Sequence, residues 1–137
     1  MNDHTISLVK ESFDLVTPIA PQAAALFYAN LFEADPLLKP LFKGDMVVQG
    51  HALMQMLGTA VKLLDQPDVL LPALRELGRR HAGYGVQDKH YDTVGAALLK
   101  TLQQGLGAAW GPEVEEAWAE VYGVVAATMK EAARVPA

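Results

Sequence analysis

An all-α domain is what this sequence predicts, and three observations predict it. Apolar residues recur at helical spacing almost from end to end, and no stretch shows convincing strand alternation. The 137 residues, about half of them hydrophobic, suit one domain around one core, residues 1–137. Prolines and glycines punctuate the periodic stretches and no heptad runs through them. That favours about seven helices crossing at large angles over a four-helix bundle.

The elements follow in order. A first helix is predicted over residues 5–16, with Ile6, Val9, Phe13 and Val16 on its buried face and Asp3 or Thr5 as its cap. Thr17-Pro18-Ile19-Ala20-Pro21 is a corner, and Pro21 can open the second helix because the first turn does not need its missing N–H. That helix runs to about Glu33 and carries Leu26, Phe27, Tyr28, Leu31 and Phe32. Asp35 is placed to cap a short helix over 37–42, with Pro36 in its first turn. Lys43-Gly44-Asp45 turns the chain into a helix from Met46 or Val47 to Leu64, whose inner stripe is Gln49, Leu53, Met56, Leu57, Ala60 and Leu64. Gln66-Pro67-Asp68 ends it. Asp88 is placed as the cap of a helix over 89–106, with Tyr91, Val94, Leu98 and Leu102 on one face and Gly105-Leu106-Gly107 as its stop. Gly111-Pro112-Glu113 opens the last helix, which turns Trp118, Val121, Tyr122, Val125 and Met129 inward and runs to about Arg134. Residues 134–137 are expected to fray.

Composition narrows function. A net charge of −5 without a basic stripe argues against nucleic acid as a partner. Cysteine is absent, so no disulfide or thiolate site exists, and any metal must be held by His, carboxylate, Tyr or Met. This fits a reducing compartment. The N-terminus lacks the pattern of a secretory signal, and no run of about 18 apolar residues suggests a membrane span. A cytoplasmic protein is expected.

The stretch from Leu74 to Val86 organises the rest. Leu70, Leu74, Leu77 and Gly78 share one helical face, and His81 joins them, four residues after Leu77. Arg75, Glu76, Arg79 and Arg80 point away, and Gly83 and Gly85 break the helix. A histidine aimed inward from the last turn is either a core residue satisfied by a carbonyl or a ligand to a metal or haem iron.

Four segments then form a set: Leu26-Phe27-Tyr28-Ala29-Asn30-Leu31-Phe32; Asp35-Pro36-Leu37-Leu38-Lys39-Pro40-Leu41-Phe42; Arg80-His81 with Tyr91 ten residues on; and Ala117-Trp118 with Val121-Tyr122-Gly123-Val124. In this order and spacing, across essentially the whole chain, the sequence resembles the globins, and among them the bacterial single-domain and flavohaemoglobin-type members. The resemblance implies a globin fold, helices in a 3-over-3 arrangement with haem b (iron protoporphyrin IX) between distal and proximal helices. It implies His81 as the iron ligand, its other ring nitrogen donating to a carbonyl one turn earlier, Leu77 or a neighbour. Phe42 matches the aromatic that lies on the porphyrin, and Pro36 the proline of the corner before it. Tyr28 and Gln49 match the polar distal pair, and Leu53 the apolar residue one turn on from Gln49.

The physics suits that pair, because oxygen draws negative charge onto its outer atom when ferrous iron holds it, and a phenol and an amide can both donate to that atom. Tyr91 matches a proximal-side tyrosine that works with a glutamate of the last helix. The matching position is Ala133, with Glu131 two residues away, so the carboxylate is expected to be missing, which speaks against strong peroxidase or dioxygenase tuning. Tyr84, Val86, Val94 and Leu98 are read as haem-pocket lining or plain core. Arg80 and Lys89 are read as propionate partners or solvated charges. His51 is placed opposite the inner stripe, near a propionate, His4 at the frayed end and His90 at the surface.

Four functions compete on this reading. The first is tight reversible oxygen binding, with nitric oxide and carbon monoxide as further ligands. The second is nitric oxide dioxygenation supported by a separate reductase. The third is a gas sensor or partner-binding globin, and the fourth a scaffold without haem, against which His81, Tyr28 and Gln49 speak.

Overall fold

The helical periodicity folds as it reads. The computed structural model describes residues 1–134, and among them there are six α-helices and no strand. They are α1 (Asp3–Val16), α2 (Ala20–Ala34), α3 (Met46–Lys62), α4 (Pro67–Gly83), α5 (Asp88–Leu106) and α6 (Pro112–Arg134). Short 3-10 turns at Thr17–Ile19 and Gly107–Ala109 and a longer 3-10 segment at Pro36–Leu41 link them. The seventh expected helix is that 3-10 segment. Pro36 and Pro40 take backbone donors out of six residues, too few for an α ladder to form, and Phe42 falls just past its end in extended backbone. Asp35 caps the segment as expected, accepting from the Leu37 N–H at 3.1 Å.

Several boundaries differ from the sequence reading, each for a local reason. Asn2, not Asp3 or Thr5, caps α1, its side chain accepting from the Thr5 N–H at 2.8 Å. Leu63 and Leu64 leave α3 through a tightened turn, so that helix stops at Lys62. Gln87, not Asp88, caps α5, and His90 completes the box by accepting from the Gln87 N–H at 2.9 Å. His90 is therefore a capping residue rather than a bystander. Asp88 is taken instead by Arg134, which ties the start of α5 to the end of α6. Arg134 is still helical, and the rest of the expected fraying lies outside the described residues.

The most extensive pairings join helices distant in sequence, α4 with α6 and α2 with α5, with α1 also on α6 and α2 on α3. An up-and-down bundle would pair neighbours instead. Val9, Leu31, Leu70, Leu74, Leu98, Leu102, Trp118 and Val121 belong to the shared core. Buried polar groups stitch the layers. Trp118 donates its indole N–H to Ser12 at 2.8 Å, and Asn30 donates to Thr101 and Gln104. The continuous helical run from Asp3 to Ala34 holds an 18-residue window of mean hydropathy 1.2, long and apolar enough on composition to cross a membrane. Its apolar face is spent on this core, through Val9, Phe13, Val16, Ala23, Phe27 and Leu31.

The α4–α6 crossing holds the histidine helix in place, and it is built on Gly78. A Cβ at that position would lie 2.4 Å from the Met129 carbonyl oxygen and 2.7 Å from its Cα, backbone that cannot move aside. Gly78→Ala is expected to lower stability by at least about 1–3 kcal/mol, the cost of overpacking a tight interface, read from the urea midpoint.

Candidate functional site

The candidate residues fall on two walls, one on α4 and one built from α2 and α3. On α4, His81 lies in the last turn and is half-buried. Its Nδ1 stands 2.9 Å from the Leu77 carbonyl oxygen, which can only accept, so Nδ1 carries the proton and Nε2 keeps a lone pair. Burial holds the ring's pKa below the ordinary histidine range, against a smaller upward pull from the Leu77 carbonyl. A neutral imidazole with one oriented, unprotonated nitrogen is what a metal ligand requires. The helix ends just beyond, at Gly83, where Gly85 turns the chain at φ +93°. Val86 is half-buried and returns its N–H to the His81 carbonyl at 3.1 Å. Tyr84 rests its ring 6.1 Å from the imidazole, yet it is 64% exposed and so is not plain core.

Between α3 and α4 opens a cleft of about 440 Å³. Met56, Ala60 and Leu63 line it from α3 and its C-terminal end, and Leu70, Leu74 and Leu77 from α4, with Gln55, Glu76 and Arg80 also on its walls. An apolar cleft of this size with a few polar groups is typical of a cofactor or ligand site. It also explains a discrepancy. Of the predicted inner stripe Gln49, Leu53, Met56, Leu57, Ala60 and Leu64, only Leu64, just past the end of α3, is buried; the others are half-buried, and the buried residues within α3 are Gly50 and Val61.

The α2 wall is aromatic. Tyr28 is buried, with ring centroids of Phe27, Phe42 and Phe32 at 5.2, 5.3 and 5.9 Å, and Phe32 packs edge-on against Phe42 at 5.5 Å. The Tyr28 hydroxyl donates to the backbone carbonyl of Gln49 at 3.3 Å. Gly50 makes that approach possible, since a Cβ there would come within 2.9 Å of Ala24 Cβ and 4.0 Å of the Tyr28 ring. Burial raises the Tyr28 pKa above the ordinary phenol value, so the hydroxyl keeps its proton and remains a donor. The Gln49 side chain behaves differently from the expectation of a paired distal donor. Its amide donates to the Lys43 carbonyl at 3.0 Å, on the turn before α3. Leu53 packs against the core one turn along.

On α5, Tyr91 and Leu98 are buried and Val94 half-buried, all within or against the core. Tyr91 is 7% exposed, and among the described residues its hydroxyl has no hydrogen-bond partner. Lys130 lies over its ring at 5.7 Å, and the neighbouring Tyr122 hydroxyl bonds to the Tyr91 carbonyl rather than to its phenol. Glu131 is exposed, and among the described residues no carboxylate hydrogen-bonds to the tyrosine. His4 and His51 are exposed, and Arg80 bonds to Glu76 one turn earlier at 3.4 Å.

The structure thus gathers Tyr28, Phe42 and Gln49 on one wall, and His81 with Val86 and Tyr84 at the end of the other. Sequence reasoning missed two participants. Phe32 stacks on Tyr28, a partner that its spacing of four residues on a helix signals. The Lys43 carbonyl is a backbone acceptor, which no side-chain motif announces.

Among the described residues no three His, Cys, Asp or Glu side chains gather as a metal cage. A lone oriented imidazole beside an apolar cleft instead suits a metal already held by a macrocycle, and these residues fit haem. Comparison with known proteins agrees. The family model "Globin" matches residues 25–129. A flavohemoprotein of Chromobacterium violaceum is 34% identical over 94% of this chain, and the chain spans about a third of that relative's length. The fold superposes on a hexacoordinated heme protein from an anhydrobiotic tardigrade with a TM-score of 0.89, at 19% identity over 98% of this chain and 96% of that one. It superposes on a bacterial globin from Campylobacter jejuni with a TM-score of 0.83, at 22% identity over 97% and 96% of the two chains. The chain belongs to the globin family, and haem is its cofactor.

Proposed function

We propose that this globin binds oxygen reversibly and tightly, with His81 as the residue that would hold the iron of haem b and Tyr28 as the donor to the gas. Haem, when bound, would supply a ferrous iron able to take a diatomic gas. The chain supplies the rest. Leu77 fixes the tautomer of His81, Phe42 and the apolar cleft exclude water from the macrocycle, and Tyr28 holds a proton towards the gas. The observation that carries this reading is the pairing of His81 Nδ1 with the Leu77 carbonyl, which leaves Nε2 free to bind a metal. The Tyr28 bond to Gln49 supports it. At 3.3 Å between oxygens it is longer than ordinary O–H···O bonds, so the hydroxyl can exchange it for a better acceptor.

The test is spectroscopic. Protein reconstituted with haem and reduced is expected to give an oxygenated spectrum that reverts to the ferrous one under inert gas over repeated cycles. Rapid irreversible oxidation at the first exposure would sink reversible binding.

Nitric oxide dioxygenation is the second reading, favoured by relatives named flavohemoprotein that are about three times as long. A separate reductase would then restore ferrous iron. The unpartnered Tyr91 hydroxyl weighs against it, because no carboxylate on α6 reaches that tyrosine to make His81 more electron-donating. Nitric oxide consumption over many turnovers with an added reductase separates the two.

A further inference from the structure

We infer that the exposed end of α4 is a docking surface for a small acidic electron-carrier protein, with Tyr84 at its centre and Arg75, Arg79 and Arg80 around it. This rests on the reading above that His81 holds the haem iron. Three observations carry it. First, the charge reverses locally. Residues 75–84 carry three arginines against one glutamate, a net +2 within a chain of net −5. All four side chains are exposed. Glu76 engages Arg79 at 3.8 Å and Arg80 at 3.4 Å, and among the described residues Arg75 makes no ion pair. The carboxyl end of a helix favours cations, but Arg75 lies well before the last turn, so the helix end alone does not account for it. Second, an aromatic stands in that field without cover. Tyr84 is 64% exposed and follows Arg80 by four residues, which puts the two side by side. An exposed tyrosine flanked by arginine has the composition of an interface hot spot. Third, the patch borders the iron ligand, since the Tyr84 ring lies 6.1 Å from the His81 imidazole.

These observations select the occupant. The charge outside the patch is negative overall, so a membrane or a nucleic acid, whose own charge is extended, meets repulsion beyond the end of α4. A small protein with a local acidic face does not. Reversible oxygen binding needs ferrous iron, and a haem that has oxidised regains it by taking one electron from outside. A reduced iron–sulfur carrier of the ferredoxin type supplies that electron. Its cluster is oxidised, the ferric haem is reduced, and no proton or bond is exchanged.

The test uses haem-loaded protein with an acidic plant-type ferredoxin as the probe. Arg75→Gln combined with Arg79→Gln is expected to slow reduction by reduced ferredoxin about tenfold at low ionic strength, and to flatten its salt dependence. Arg75→Lys with Arg79→Lys keeps the charge and is expected to stay within about threefold of the parent. Lys62→Gln with Lys100→Gln removes the same charge from exposed positions outside α4 and is expected to leave the rate alone. Tyr84→Ala is expected to weaken calorimetric binding of oxidised ferredoxin several-fold, a readout that needs no electron transfer. Dithionite, a small reductant that needs no docking, is expected to reduce the arginine variants as fast as the parent.

Ferredoxin rates indifferent to the arginines would overturn the inference. So would equal slowing by the two lysine substitutions, since net charge and not the patch would then act. Binding to phosphatidylserine vesicles through Arg75 and Arg79, with none to ferredoxin, would also overturn it. Haem that dithionite too fails to bring to an oxygen-binding form would sink the oxygen-binding reading and the inference with it.

Discussion

His81→Ala is expected to remove the Soret band of haem-reconstituted protein, or to leave it weak and easily stripped by a haem acceptor. The expectation follows from how little else can grip the iron. His4 and His51 are exposed and His90 is engaged as the cap of α5. Losing an outer-shell partner such as the Leu77 carbonyl would cost about 10–100-fold in affinity, and losing the ligand itself must cost more. The fold should survive. His81 is half-buried in the last turn of α4, and that helix is anchored through Leu70, Leu74 and Gly78, which the substitution leaves alone. Alanine is also the better helix former. Free imidazole added to the variant is expected to restore much of the band, since it can occupy the space vacated beside Leu77. Circular dichroism equal to the parent's, with no Soret band until imidazole is added, is the outcome that supports ligation. A full-strength band in the variant alone would show that another residue holds the iron.

How much of this was legible in the chain depends on which interactions write themselves into sequence. Helix positions were, because a 3.6-residue repeat of apolar side chains is a long signal, and Trp118, Val121, Leu98 and Leu102 all face the core as their spacing says. Caps were less so. Asp88 and Gln87 are both plausible caps by type; Gln87 caps through its box with His90, and Asp88 pairs with Arg134, 46 residues downstream. Hydropathy alone is ambiguous in the Asp3–Ala34 run, which is long and apolar enough by composition to cross a membrane yet packs on α5 and α6. At the site, His81 was legible because its face and its i−4 carbonyl lie on one helix. The orientation of the Gln49 amide was not. It depends on a carbonyl presented by a glycine turn, and backbone acceptors leave no residue-type signature. Tyr84 shows the limit of position-matching, since it reaches the imidazole but spends most of its surface on solvent.

Tyr28→Phe is expected to raise the oxygen dissociation rate at least tenfold, measured by stopped-flow displacement with carbon monoxide. The substitution is close to a pure deletion of one donor. The phenyl ring keeps its place among Phe27, Phe32 and Phe42, and the Gln49 carbonyl that loses the hydroxyl lies in the first turns of α3, within reach of the helix's own ladder. What disappears is a hydrogen bond to an acceptor that carries charge, worth roughly 1.5–3 kcal/mol. With each 1.4 kcal/mol worth about tenfold, the variant's oxygen dissociation rate should exceed the parent's by one to two decades. The parent must first give up its 3.3 Å bond to Gln49, which trims the gain and sets the lower bound rather than the upper one. Carbon monoxide bears less charge on its outer atom, so its dissociation should change far less, and the ratio of the two effects identifies the cause. Equal acceleration of both gases would point to a widened cavity, and an unchanged oxygen rate would place the donor elsewhere than on Tyr28.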